Sequence, residues 1–174
     1  MQMAEKNQSN QVKAVMTTNH KKLVALLESF NSIYYLAYGA NTNNGVMDDL
    51  CPGAECLGNI VLKNWALKFY LYANVEPQQG SLVECVLWRI TPDHELSLNH
   101  SEDYPNYYTK AYESIVLPTG EHVQAMLYVM TRDGKQRTGL AAPYPWYDEM
   151  VSEGYTQHGI PLSQLEQAQG YTDE

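Results

Sequence analysis

Residues 57–75 read LGNIVLKNWALKFYLYANV, and Trp65, Leu67, Phe69 and Leu71 alternate there with Ala66, Lys68, Tyr70 and Tyr72. A period of two belongs to a pleated strand, where successive side chains point to opposite faces, and not to a helix. A strand this long needs partners, and the sequence supplies them. IYYLAY (33–38) precedes it as a short strand apolar on both faces, and SLVECVLWRI (81–90) follows it as a third strand after the turn PQQG (77–80). Farther on, YYTKAYESIVL and HVQAMLYVM flank the turn PTGE, which predicts an antiparallel hairpin. The body of the chain is therefore mainly sheet.

Helices are expected around it. TTNHKKLVALLESFNS places Leu23, Leu26, Leu27 and Phe30 on one side of a short amphipathic helix. In TPDHELSLNHSE, Thr91 suits an N-cap and Pro92 the first helical position, while Asp93 and Glu95 favour the positive end of the helix. A helical tail is predicted from near Pro145, over WYDEMVSEGYTQHG and PLSQLEQAQG. Residues 1–16 are polar and rich in Gln and Asn and read as a flexible extension, leaving 17–174 as a single domain. The fold class expected is α+β, a small mixed β-barrel with peripheral helices.

Composition excludes several functions. A net charge of −9, with eleven scattered Lys and Arg, gives no basic face for nucleic acid. No apolar run is long enough for a membrane span, and MQMAEKNQSNQ lacks the apolar centre of a signal peptide. Three cysteines, Cys51, Cys56 and Cys85, form no disulfide framework, so a reduced, cytoplasmic setting is expected. Dinucleotide, P-loop, zinc-protease and nucleophile-elbow motifs are absent, and the five histidines show no convincing ligand spacing. Cys51 and Cys56 have no second pair to complete a zinc site; a Cys–His nucleophile stays open, though nothing selects one.

Two stretches remain. In AYGAN, a strand ends on Gly39 and Ala40, where successive N–H groups could hold an anion or a developing oxyanion; the alternative is a plain turn. In LNHSEDYPNYYTK, Glu102 ends a helix and is followed by Tyr104, Pro105, Tyr107 and Tyr108. A carboxylate walled by aromatics loses hydration and becomes a better proton shuttle near neutrality; the alternative is a solvated Glu beside Asp103.

In this order the two stretches resemble the γ-glutamyl cyclotransferase family, over about residues 33–168. Members carry a Tyr-Gly-Ser-Asn loop after a strand, matched by Tyr38, Gly39, Ala40 and Asn41, and a Leu-Asp-x-x-Glu-Gly pattern matched by LNHSED. The resemblance places the acid–base role on Glu102. It also matches a tyrosine opening the next strand to Tyr108. The segment from Tyr128 to Ala168 looks like the C-terminal part of the larger, glutathione-pathway type, where an Ala-Pro-rich turn delivers a substrate-contacting tyrosine, here Tyr147. Three positions depart from the pattern: Ala40 stands for Ser, Asn99 for Asp, and Asp103 for Gly. Asp103 would raise the Glu102 pKa if the two carboxylates were close.

The resemblance implies attack of a substrate's α-amine on its own γ-carbonyl, releasing 5-oxoproline and an amine or amino acid. Glu102 alone would move the protons, without cofactor, metal or covalent intermediate. Folding the substrate on itself would supply much of the rate. The expected partner is a small γ-glutamyl compound, with no nucleic acid or membrane, and a homodimer stays open. Two other readings stay open: removal of a γ-glutamyl group from a specialised metabolite, and a catalytically silent binding domain.

Overall fold

A computed structural model describes residues 15–24 and 31–170. The chain divides into two units, Met1–Ser32 and Ile33–Glu174. In the first, residues 15–24 are helical (α1) and Leu23 is exposed. Leu26, Leu27 and Phe30 lie outside the described residues.

The second unit holds β1 (Ile33–Ala37), a 3-10 turn (Ala40–Thr42), α2 (Asn44–Leu50), β2 (Glu55–Tyr70), β3 (Tyr72–Ile90), α3 (Pro92–Ser101), β4 (Tyr108–Val116), β5 (His122–Met130), α4 (Arg132–Thr138), α5 (Pro145–His158) and α6 (Ser163–Gln169). The strands form one sheet in the order β2-β3-β1-β5-β4. β1 lies antiparallel to β3, with Ile33 opposite Ile90, and parallel to β5, with Tyr34 opposite Ala125. Its central place explains its apolar faces: Tyr35, Leu36 and Ala37 are all buried.

The sheet is open, which corrects the expected barrel. No ladder joins β2 to β4, the two outer strands. Where a barrel would need backbone pairing between them, a side-chain bond stands instead: the Trp65 indole donates to Glu113 Oε1 at 3.0 Å. The remaining architecture is the α+β type expected.

The β2–β3 reversal also differs from expectation. The chain turns at Leu71, not at PQQG, and Leu71 takes the left-handed backbone region with φ +65°. The turn is held from far along the sequence. Leu71 N–H donates to the Ala141 carbonyl at 3.2 Å, and Thr138 Oγ1 to the Tyr70 carbonyl at 3.1 Å. PQQG instead bulges out of β3, opposite a register shift between Lys63 and Trp65. Asn64 accepts the Gly80 amide across that bulge at 3.0 Å. Local turn chemistry marked a real irregularity there, but long-range bonds chose where the strand reverses.

The β4–β5 hairpin forms as expected, from Tyr108 opposite Met130 to Val116 opposite His122. α3 begins with Thr91 as N-cap, its hydroxyl accepting the His94 amide, and Pro92 opens the helix. α5 begins at Pro145 and stops at Gly159, whose φ of +65° suits glycine. Among the described residues, no helix is long and apolar enough to cross a membrane.

Candidate active site

The end of β1 sets the floor of a cavity of about 460 Å³. After Tyr38 the chain bends through Gly39 into the 3-10 turn, closed by Thr42 N–H to the Gly39 carbonyl and Asn43 N–H to the Ala40 carbonyl, both 3.0 Å. Glycine is required at 39 by space: a Cβ there would lie 2.8 Å from the Tyr147 hydroxyl and 3.0 Å from the Ala73 Cβ. α5 presses on the same turn through Gly154, where a Cβ would come within 2.3 Å of Thr42 Oγ1 and 2.6 Å of Asn43 N. These two close approaches put Tyr147, from the first turn of α5, directly against the loop.

Glu102 enters from the opposite side as the C-cap of α3. Its Oε1 accepts from Asn41 Nδ2 at 2.9 Å, and the same amide group donates to the Tyr35 hydroxyl at 2.7 Å. Asn41 is itself held by its carbonyl, which accepts the Trp88 indole N–H at 3.1 Å. Burial among aromatic rings pushes the Glu102 carboxyl up to about 7, against the smaller lowering effect of the Asn41 bond. The residue keeps some exposure because it lines an open cavity.

Asp103, expected to raise Glu102 only if the two carboxylates were close, is not a cause of that shift. Its carboxylate accepts from Asn106 Nδ2 at 3.0 Å. The backbone explains why the family pattern has glycine there: Asp103 sits at φ +47°, a region Asp tolerates better than most residues. Asn99, the other departure, accepts the Tyr128 hydroxyl at 2.8 Å.

Tyr147 acts as an acceptor. Its oxygen receives the Ala73 amide at 3.3 Å. The phenol proton takes no part in that bond, and burial raises the pKa, so the group stays a donor. Tyr38 and Tyr108 differ. Their hydroxyls donate to backbone carbonyls, Tyr38 to Tyr128 at 2.6 Å and Tyr108 to Ala73 at 2.7 Å, so they present rings and oxygen lone pairs.

All seven residues singled out in the sequence, Tyr38, Gly39, Ala40, Asn41, Glu102, Tyr108 and Tyr147, line this one cavity. Sequence reasoning missed Tyr35, Tyr72, Trp146 and Arg137, which also line it. Tyr72 carried no signal beyond strand alternation, because the nearby turn at Leu71 is set by distant residues. Gly154 was missed too; a glycine inside a helical pattern was the available sign. Cys51 and Cys85 are buried and Cys56 is exposed, and none of them lines the cavity.

Fold and cavity define a small α+β protein in which Glu102, a carboxyl raised by burial, lines a cavity walled by aromatic rings. The family model described as "Gamma-glutamyl cyclotransferase, AIG2-like" matches residues 35–148, and the chain belongs to that family. Solved structures share the fold. One titled "Gamma-glutamyl cyclotransferase" aligns with a TM-score of 0.67 at 21% identity, covering 79% of this chain and 86% of that one. A protein from Homo sapiens, titled uncharacterized, aligns at 0.66 and 21% identity with the same coverages, 79% and 86%. YkqA from Bacillus subtilis aligns at 0.65 and 21%, over 86% of this chain and 57% of its own. No curated protein matches the sequence significantly.

Proposed function

We propose that the protein is a cofactor-independent γ-glutamyl cyclotransferase that converts a γ-glutamyl compound into 5-oxoproline and a free amine or amino acid. The observation that carries this reading is Glu102: a carboxyl with pKa about 7, fixed through one oxygen by Asn41 on the floor of the cavity. At neutral pH such a group exists in both protonation states, as a shuttle must.

The chemistry balances on that one residue. Glu102 takes a proton from the substrate's α-amino nitrogen as it bonds to the γ-carbonyl carbon. The bond from that carbon to the leaving nitrogen then breaks, and Glu102 returns the proton to it. Asn41 holds Oε1, which leaves Oε2 for both transfers. The developing oxyanion needs a donor, and the Tyr147 phenol proton is available for it, since the oxygen already serves the Ala73 amide as acceptor. Ala40 leaves room beside the loop for the folded substrate. The helical tail carrying Tyr147 supports the larger, glutathione-pathway type.

The test is release of 5-oxoproline from a panel of γ-glutamyl amino acids, dipeptides and amides. Wild type should release it, and Glu102→Gln should lose about 10²–10⁴-fold while still folding. Turnover of the variant within a few-fold of wild type would remove Glu102 from the role.

A further inference from the structure

Arg137 is the one cationic residue among the described residues that line the cavity; the other charged ones, Glu102 and Asp103, are acidic. None of the ion pairs among the described residues involves it: those join Lys68 and Lys135 to Glu76, Arg89 to Glu55, and Lys110 to Glu95. Its guanidinium instead lies 5.0 Å from the ring centre of Tyr107. An arginine held over a ring keeps its N–H fork available to a carboxylate.

The position is built. Helix α4 closes on Tyr107 through Gly134, where a Cβ would lie 2.5 Å from the Tyr107 carbonyl. The Lys135 ammonium meets Glu76 at 3.1 Å, and Thr138 donates to the Tyr70 carbonyl at 3.1 Å. Arg137 sits between these two anchors.

An aromatic wall connects it to the floor. The Tyr72 ring meets Tyr147 at 5.1 Å on one side and Tyr107 at 6.3 Å on the other. Trp146 closes on Tyr72 at 6.2 Å. Tyr147 touches the loop and Tyr107 lies under Arg137, so the wall runs from the reacting end of the cavity to its lone cation.

We infer that Arg137 receives a free carboxylate on the leaving half of the substrate, so that the protein takes γ-glutamyl amino acids or short peptides in preference to γ-glutamyl amines. This rests on the cyclotransferase reading: the γ-glutamyl head occupies the floor beside Glu102, and the leaving group extends along Tyr72. A charge-assisted fork to a carboxylate is stronger than a neutral contact and has a fixed direction, which suits discrimination.

The test compares γ-glutamyl-phenylalanine with its leaving-residue carboxamide, an isosteric pair differing in that one charge, on wild type and Arg137→Gln. Arg137 lies exposed on a helix surface, so the variant should fold as wild type does by circular dichroism. Wild type should favour the acid by about 10-fold or more in kcat/KM, and the variant should lose that preference mainly through KM. Equal use of acid and amide by wild type overturns the inference while leaving the cyclotransferase reading intact. So does a variant that weakens both compounds alike, which would place Arg137 on the glutamyl head. If wild type releases 5-oxoproline from neither compound nor from the wider panel, the reading beneath it has failed, and the inference falls with it.

Discussion

Asn41 gives Glu102 a hydrogen bond that favours the ionised carboxylate, while the surrounding rings withhold water and favour the neutral acid; the second effect wins, and the pKa rises to about 7. Two consequences follow in opposite directions. In the proposed reaction Glu102 must be ionised to accept a proton, so kcat/KM should climb as pH rises through about 7; a flat profile across that window would exclude it as the base. For stability, the folded state holds this proton where an unfolded glutamate, at about 4.3, has lost it. Between those values the native protein binds more protons than the unfolded chain, so the contribution is full below the lower value and lost as pH rises through the upper one. Glu102→Gln should therefore be more stable than wild type at pH 8, on the order of 2 kcal/mol once the access of water to the cavity is discounted, and little different at pH 4. Urea melts at the two pH values measure it. Tyr147→Phe has a double cost. It removes a donor from the cavity and strands the Ala73 amide, so both kcat/KM and the unfolding free energy should fall, the latter by roughly 1–3 kcal/mol. Loss of activity with unchanged stability would mean that this amide finds another acceptor.

At the scale of elements, the site depends on how closely α5 rests on the loop after β1. Gly154 permits that contact, and Tyr155 reinforces it by donating to the Tyr38 carbonyl at 2.8 Å. Gly154→Ala normally raises helix propensity, yet here the added methyl meets backbone and hydroxyl atoms at 2.3–2.8 Å. The substitution should destabilise by roughly 1–3 kcal/mol and reduce turnover by shifting Tyr147 away from Gly39. A variant as stable and active as wild type would show that α5 can slide without consequence. The elements themselves were largely legible. Thr91-Pro92 announced α3, Pro145 announced α5, and PTGE announced the last hairpin, because each signal acts within a few residues of where it is written. α2 and α4 escaped notice, being seven residues each with little amphipathic pattern to detect.

The second unit is built on an open sheet whose outer strands, among the described residues, share no backbone ladder and are linked by the Trp65–Glu113 bond. Trp65→Phe keeps the ring and removes the bond to Glu113, so it should cost about 0.5–1.5 kcal/mol in a denaturant melt and leave kcat/KM near wild type, since neither residue lines the cavity. A much larger loss would mean the two edges are joined more strongly than one hydrogen bond allows. The sequence by itself determined what is local, strands by alternation and helix starts by caps, while Gly39 and Glu102 stood out only through the resemblance of their two stretches, in that order, to a known family. Tertiary structure alone decided the rest. Residues 138–141 moved the strand reversal to Leu71, and so placed Tyr72 in the cavity; α5 brought Tyr147 to Gly39; α4 set Arg137 over Tyr107. A pKa of about 7 at Glu102 likewise arises only when rings from β1, β4, β5 and α5 close around one carboxyl. Desolvation depends on what surrounds a group in space, and no spacing along the chain encodes it.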